Sequence, residues 1–152
     1  MENIKIKIKS KLINYDLEFE HNTNIIMGNS ATGKSFLINL IDNRESSNID
    51  IESNYRLFHI RSKILELGIK LDEDTVYIMD ECNGIEDKIV VDTINKNKYK
   101  FIIITRSAEL DGISYDKNQV YEIFRSGKYN FSIKMYRKDL DKDREHKNWG
   151  WK

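Results

Sequence analysis

A chain of 152 residues is long enough for one domain with a hydrophobic core, and too short for a nucleotide-binding core plus a large second domain. Lys and Arg together number 25, as do Asp and Glu, so the net charge is zero and gives no indication of nucleic-acid binding. The single cysteine, Cys82, excludes an internal disulfide. No apolar run approaches the ~18 residues of a membrane span and no signal peptide is evident, so we expect a cytoplasmic protein without a membrane partner.

The first predicted elements are two strands that alternate apolar and charged residues. Ile and Lys alternate over residues 4–9, and apolar residues alternate with carboxylates over residues 15–20, which is typical of half-buried strands in an antiparallel pair. The simplest interpretation of these charges is cross-strand pairing on a solvated face. A nucleic-acid contact through Lys5, Lys7 and Lys9 is the less favoured alternative.

The next stretch, residues 24–38, predicts a buried strand, a loop and the start of a helix. Gly28 and Gly33 bracket four residues and precede Lys34 and Ser35, which matches the full G-x-x-x-x-G-K-[ST] phosphate-binding pattern. Lys34 is predicted to reach the β- and γ-phosphates of a nucleotide, and the Ser35 hydroxyl to hold Mg²⁺. The alternative, a chance glycine-rich turn, is disfavoured by the apolar residues on both sides. The predicted nucleotide-binding residues are Gly28, Asn29, Ser30, Ala31, Thr32, Gly33, Lys34, Ser35 and Phe36.

The segment after this helix carries weaker signals. Short strands are predicted at residues 49–51 and 55–60. Ser62 is predicted to cap a short helix that Gly68 ends, after which residues 70–74 are predicted to return to the sheet.

A continuous apolar run over residues 76–79 ends in Asp80 and Glu81, which is typical of a buried parallel strand with carboxylates at its carboxyl end. Nucleotide-binding sheets hold their ligands at that edge. Asp80 is therefore predicted to bind Mg²⁺, directly or through water, and Glu81 to deprotonate the water that attacks the γ-phosphate. The alternative is an acidic turn after a strand. Cys82 is interpreted as a structural residue.

A helix predicted over residues 85–96 places Ile89 on its apolar side and leads to a second buried strand, residues 101–104. This strand ends in Thr105 and Arg106. Thr105 is predicted to hydrogen-bond the γ-phosphate or its water, and Arg106 to neutralise charge there. A surface arginine without function is an equally favoured interpretation of Arg106.

The last predicted elements are strands at residues 120–124 and 129–135, which flank a Ser-Gly-Lys turn signal and form a β-hairpin. The charged end of the chain carries Trp149 and Trp151, which either pack on the domain or bind another molecule. The predicted domain spans residues 1–136, and a charged tail follows over residues 137–152.

The sequence resembles the ATPase heads of ABC-type and SMC-like DNA-repair proteins, which are P-loop NTPases. The phosphate-binding sequence, the strand ending at Glu81 and the strand ending at Arg106 follow each other in the same order as in that family. The resemblance covers most of residues 4–135. It implies an α/β fold with a mainly parallel core sheet, an N-terminal antiparallel β-ribbon and a C-terminal β-hairpin. It also implies that the strand of residues 101–105 lies between the two strands that carry the motifs.

The sequence departs from that family at three places. The serine-glycine-glycine signature and its helical subdomain are absent between Ser35 and Val76, the only glutamine is Gln119, and Arg106 stands where these heads usually carry a histidine. These departures argue against an ATP-driven sandwich dimer and against rapid hydrolysis. Residues 95–98 lack the aspartate of a guanine-binding motif, so adenine nucleotide is favoured.

The leading hypothesis is a Mg²⁺-dependent ATP-binding protein with weak or partner-stimulated ATPase activity, acting as a small switch or an ATPase subunit. ATP, Mg²⁺ and a protein partner are its expected ligands; nucleic acid stays possible but is not indicated by the net charge. One alternative is a regulatory or inhibitory module that binds nucleotide without hydrolysis. A small-molecule kinase is less favoured because no compact arginine-rich lid is evident. The predicted catalytic residues are Lys34, Glu81, Thr105 and Arg106, and the predicted metal ligands are Ser35 and Asp80.

Overall fold

A computed structural model describes residues 2–27, 34–46, 48–80, 87–106, 110 and 112–135 of the chain. The helices in these ranges are α1 (Lys34–Asp42), α2 (Ser62–Glu66) and α3 (Lys88–Asn95), and a 3-10 turn spans Lys117–Gln119. The strands are β1 (Ile4–Lys9), β2 (Asn14–Phe19), β3 (Thr23–Met27), β4 (Asp50–Ser53), β5 (Arg56–His59), β6 (Thr75–Asp80), β7 (Lys100–Thr105), β8 (Val120–Ser126) and β9 (Asn130–Met135).

These nine strands form one mixed sheet in the order β4-β1-β2-β9-β8-β3-β7-β6-β5. The pairs β4-β1, β1-β2 and β9-β8 are antiparallel, whereas β2-β9 and the run from β8 to β5 are parallel. The two edge strands, β4 and β5, are joined by only Asn54 and Tyr55. The edges therefore meet at one corner, and the sheet is barrel-like and nearly closed.

This architecture corrects the predicted fold class. An α/β P-loop NTPase covers a mainly parallel sheet with helices on both faces. The described residues instead form a mostly β structure, in which the only helices are α1, α2 and α3, of 9, 5 and 8 residues. The resemblance to ABC-type and SMC-like ATPase heads is therefore wrong as a statement about the fold. The physical reason is that the strands of the curled sheet pack partly against each other, so that the three short helices cover only the rest of its apolar surface.

One face of the curled sheet encloses the larger part of the core. Because β1 and β2 bury every second residue, their apolar side chains all point to the same side. They pack there with α1, which buries Leu37 and Ile41, and with residues of β5, β6 and β7. The β1 and β2 residues in this cluster are Ile4, Ile6, Ile8, Tyr15, Leu17 and Phe19.

The opposite face of the central strands packs against α2 and α3. Phe101 and Ile103 of β7 contact a second apolar cluster that includes Val90 and Ile94 of α3. All residues of β3 and β7 are buried because both faces of these strands are covered. The prediction of buried strands near residues 76–79 and 101–104 is confirmed, and β7 lies between β3 and β6 as expected.

The predicted β-ribbon and C-terminal hairpin are also confirmed, as β1-β2 and β8-β9. Two local predictions are wrong. Ser62 is the first residue of α2 and Arg61 its N-cap, and β6 begins at Thr75, so residues 70–74 precede the strand. Gly68 does end α2: it adopts a φ of 71°, which favours glycine, and its N–H donates to the Leu65 carbonyl at 2.9 Å.

The exposed lysines of β1 lie opposite carboxylates. Lys5 pairs in register with Glu18, and Lys7 lies between Asp16 of β2 and Glu52 of β4. Opposite charges on neighbouring strands stabilise each other. The predicted cross-strand charge pairing is thus confirmed at the level of strand register. In the described ranges no helix has the length and apolar character needed to cross a membrane.

Candidate functional site

Three parallel strands end at one edge of the sheet, where they bring together two of the predicted site residues, Asp80 and Thr105. Met27, the last residue of β3, pairs with Thr105 at the end of β7, and Asp80 at the end of β6 pairs with Ile104. Neighbouring strands lie ~4.8 Å apart. The carboxyl ends of β3, β7 and β6 therefore lie side by side, and we call this edge the carboxyl edge.

Asp80 and Thr105 differ in their exposure at this edge. Asp80 is the exposed residue of an otherwise buried strand, whereas Thr105 is fully buried. Arg106, directly after β7, is exposed. The edge therefore carries an exposed acidic residue and an exposed basic residue at the ends of neighbouring strands.

Helix α1 begins at Lys34, and the six residues between it and the end of β3 are the glycine-rich sequence, which thus connects the carboxyl edge to a helix amino terminus. The backbone N–H groups of a helix's first turn have no partner within the helix and favour anions. The first turn of α1 holds no acidic side chain that would oppose this attraction. Leu37 and Ile41 anchor the helix in the core, while Phe36 is exposed.

Several predicted site residues lie outside the described part of the chain. These are the phosphate-binding residues before Lys34 and the predicted base Glu81, and the side chains of Lys34 and Ser35 are likewise not described. Cys82 and the tail of residues 137–152 also lie outside it. Their predicted roles stay predictions. The phosphate-binding residues outside the described part are Gly28, Asn29, Ser30, Ala31, Thr32 and Gly33.

Helix α3 begins with a side-chain cap. The Asp87 Oδ1 atom accepts hydrogen bonds from the N–H groups of Ile89 and Val90, at 2.9 and 3.1 Å. Val90 and Ile94 then bury one side of the helix. Ile89, predicted on the apolar side, is instead 51% exposed. The cap determines where the helix begins after the segment that carries Glu81.

A buried amide network at the opposite edge determines how β3 aligns with β7. The fully buried Asn24 side chain donates to the carbonyls of His21 and Phe101, at 2.6 and 3.3 Å, and accepts from the His21 N–H at 3.2 Å. Gln119 donates to the Thr23 carbonyl at 2.8 Å. Sequence reasoning missed both positioning residues. The one indication in the sequence was Asn24, a polar residue at the start of an apolar run, which is a position where a buried side chain needs hydrogen-bond partners.

The predicted Mg²⁺ site depends on the side-chain ligands that the carboxyl edge offers. Among the described residues, no three His, Cys, Asp or Glu side chains come together as a metal site. Mg²⁺ does not require such a cluster, because it usually keeps several waters and takes one or two protein oxygens together with substrate phosphates. The exposed Asp80 carboxylate fits that role.

The chain matches no protein-family model and no curated protein sequence. The geometry of the carboxyl edge is therefore the main guide to function.

Proposed function

We propose that the protein binds Mg-ATP at the carboxyl edge and hydrolyses it slowly, acting as a small switch or an ATPase subunit. The observation that supports this proposal is the strand register, in which Met27, Thr105 and Asp80 end neighbouring strands. The glycine-rich sequence starts directly after Met27. The proposal depends on these residues and does not require the fold of an ABC-type head.

In this proposal the backbone N–H groups of residues 28–33 and of the first turn of α1 hold the phosphates. Lys34 contributes a positive charge to the β- and γ-phosphates, and Ser35 and Asp80 hold Mg²⁺, which supplies further positive charge at the phosphates. Glu81 takes the proton of the attacking water.

Two residues at the end of β7 complete the proposed site. Thr105 orients the water or the γ-phosphate by hydrogen bonding, and the exposed Arg106 stabilises the charge that develops on the transferred phosphoryl group. A protein partner that adds a second cation at the open edge accelerates hydrolysis in this scheme. We place the protein in the cytoplasm, a compartment that suits a chain with one cysteine.

The test is the Lys34→Ala variant, with Mg-ATP affinity measured by isothermal titration calorimetry. We expect affinity to fall at least about tenfold, because a charge-assisted contact with the phosphates is lost. Lys63→Ala, on the exposed surface of α2, is the matched control and should bind as the parent does. Circular dichroism must show that both variants are folded. Parental affinity in a folded Lys34→Ala variant would refute the site.

A further inference from the structure

A cavity lies at the corner where the edge strands β4 and β5 meet. It has a volume of about 660 Å³, within the ~300–1,000 Å³ typical of small-molecule sites. Its walls come from the turn after α1, from β4 and β5 with their link, and from β6 with the segment that leads into it. We call it the seam pocket. The lining residues used below are Arg44, Arg56, Phe58, Ile69, Lys70 and Tyr77.

The seam pocket is rich in hydrogen-bond donors and poor in acceptors. Arg44, Arg56 and Lys70 contribute three positive charges, against the single carboxylate of Asp72. That carboxylate is already engaged: Oδ1 accepts from the Asp74 N–H at 2.8 Å, and Oδ2 lies 3.5 Å from the Thr75 hydroxyl. The local charge therefore favours an anion.

Two of the donors are held in place before any ligand binds. An Nη atom of Arg44 donates to the Leu57 carbonyl at 2.7 Å, which leaves the other guanidinium N–H groups for a ligand. The Tyr77 hydroxyl accepts from the Asp72 N–H at 2.8 Å and donates to no acceptor among the described residues. Groups already held in position lose less conformational freedom when a ligand binds.

The apolar part of the pocket is exposed. Phe58 and Ile69 are 44% and 42% exposed, and the Phe58 ring lies edge-on to Tyr77 with 6.2 Å between ring centres. A flat apolar ligand would remove this surface from water and could add a further ring contact. The pocket thus places an aromatic surface beside three cations.

The same geometry disfavours a β-strand from another protein as the occupant. Strand addition uses the outward carbonyl and N–H groups of an edge strand. The Leu57 carbonyl of edge strand β5 already accepts the hydrogen bond from Arg44. An added strand would have to share that carbonyl with the Arg44 guanidinium, so a small molecule fits the pocket better.

We propose that the seam pocket binds a small molecule that joins an aromatic ring system to an anionic group. The anion contacts Arg44, Arg56 and Lys70, and the rings pack on Phe58 and Ile69. This site is distinct from the carboxyl edge: Tyr77 is the pocket residue of β6 that lies nearest in sequence to Asp80, which ends the strand. Three residues along a strand span roughly 10 Å.

The experiment uses 8-anilinonaphthalene-1-sulfonate, a fluorescent aromatic anion, and N-phenyl-1-naphthylamine, a neutral probe with the same rings. Fluorescence titration of the full chain is expected to give one saturable sulfonate site. Binding should weaken about tenfold in Arg56→Gln, which loses a charge-assisted contact, and clearly in Phe58→Ala. The neutral probe should bind more weakly and should not respond to Arg56→Gln.

Matched controls keep the result specific to the pocket. Arg125→Gln and Leu12→Ala change exposed residues elsewhere and should leave sulfonate binding unchanged. Lys34→Ala should also leave it unchanged, which separates this inference from the proposed ATP site. Circular dichroism checks that each variant is folded. Equal sulfonate affinity in folded Arg56→Gln and parent, or equal affinity of the parent for both probes, would overturn the proposal.

Discussion

The Nζ atom of Lys100 lies 4.7 Å from the centre of the Tyr55 ring and donates a hydrogen bond to the Glu73 carbonyl at 2.6 Å. Lys100 opens the central strand β7 and is only 9% exposed, and Tyr55 belongs to the link between the edge strands. This contact therefore connects the middle of the sheet to the corner where its edges meet. The Lys100 ammonium group also provides a hydrogen-bond donor for the Glu73 carbonyl, which lies just before β6.

Replacing Lys100 with methionine keeps the aliphatic stem but removes the charge and the donor. We expect the free energy of unfolding to fall by about 1–3 kcal/mol, because a cation–π contact and a charge-assisted hydrogen bond are lost together. Urea unfolding followed by circular dichroism measures this change. Lys98→Met is the control. The Nζ atom of Lys98 also lies near an aromatic ring, 5.6 Å from the centre of Tyr99, but the Lys98 side chain is exposed. Equal stability of both variants would contradict the interpretation.

The cap of α3 leads to a second prediction. Because the Asp87 carboxylate accepts two backbone N–H groups, Asp87→Ala should lower the free energy of unfolding by about 1 kcal/mol. Asp87→Ser should keep most of that stability, since serine is also a good N-cap. Asp92→Ala, exposed on the same helix, should change stability by less than about 0.5 kcal/mol. Urea unfolding of the three variants compares them, and an Asp87→Ala variant as stable as the parent would exclude a capping role.

The buried Tyr15 predicts a loss of stability at high pH. Burial raises the pKa of Tyr15 from 10.0 to about 12, so the folded state favours the neutral phenol. Its stabilising contribution is complete below pH 10 and is lost as the pH rises through 12. The expected loss is about 2–3 kcal/mol, at ~1.4 kcal/mol for each unit of pKa difference.

Urea unfolding at pH 9 and pH 11.5 checks this prediction. Tyr15→Phe keeps the ring that stacks on Phe131, with 5.0 Å between ring centres, but should show a smaller decline with pH than the parent. Some decline should remain, because burial also raises the pKa of Tyr121. Tyr129→Phe, at an exposed position, should decline as the parent does. A Tyr15→Phe variant with the full parental decline would contradict the assignment.

The proposed base gives the fourth prediction. Glu81→Gln should retain Mg-ATP binding but lower phosphate release by roughly 100-fold or more, as expected when a general base is lost. A phosphate-release assay measures turnover, and Glu66→Gln, exposed on α2, serves as the control. Equal turnover in Glu81→Gln and parent would exclude Glu81 as the base. A parent that binds ATP without releasing phosphate would favour the regulatory module.

Local patterns predicted most of the elements because burial imposes a period on the sequence. The alternation of Ile and Lys predicted β1 at residues 4–9, and the continuous apolar runs predicted β6 and β7. Such patterns show which face of a strand is buried, but they do not show which other strand it pairs with. Nothing in the sequence near Ile51 indicates that β4 pairs with β1, where Ile51 lies opposite Ile8.

The fold class was wrong for the same reason. The order of motifs suggested a sheet between layers of helices. The apolar faces of β1 and β2 instead lie inside a curled sheet. Its closure depends on strand pairings between residues distant in sequence, such as Asn14 with Asn130. At the candidate site, Asp80 and Thr105 do share an edge, because parallel strands end together. The chemical roles of these two residues stay predictions.

The two-residue link between β4 and β5 limits how far the seam pocket can open. From Ser53 to Arg56 the chain crosses three peptide units, which span ~11 Å at most. Asn54 is itself anchored: its side chain accepts from the Lys5 N–H at 2.9 Å and donates to the Asn3 carbonyl at 2.7 Å. We therefore expect that lengthening the link with glycine residues lets the seam pocket accept broader molecules.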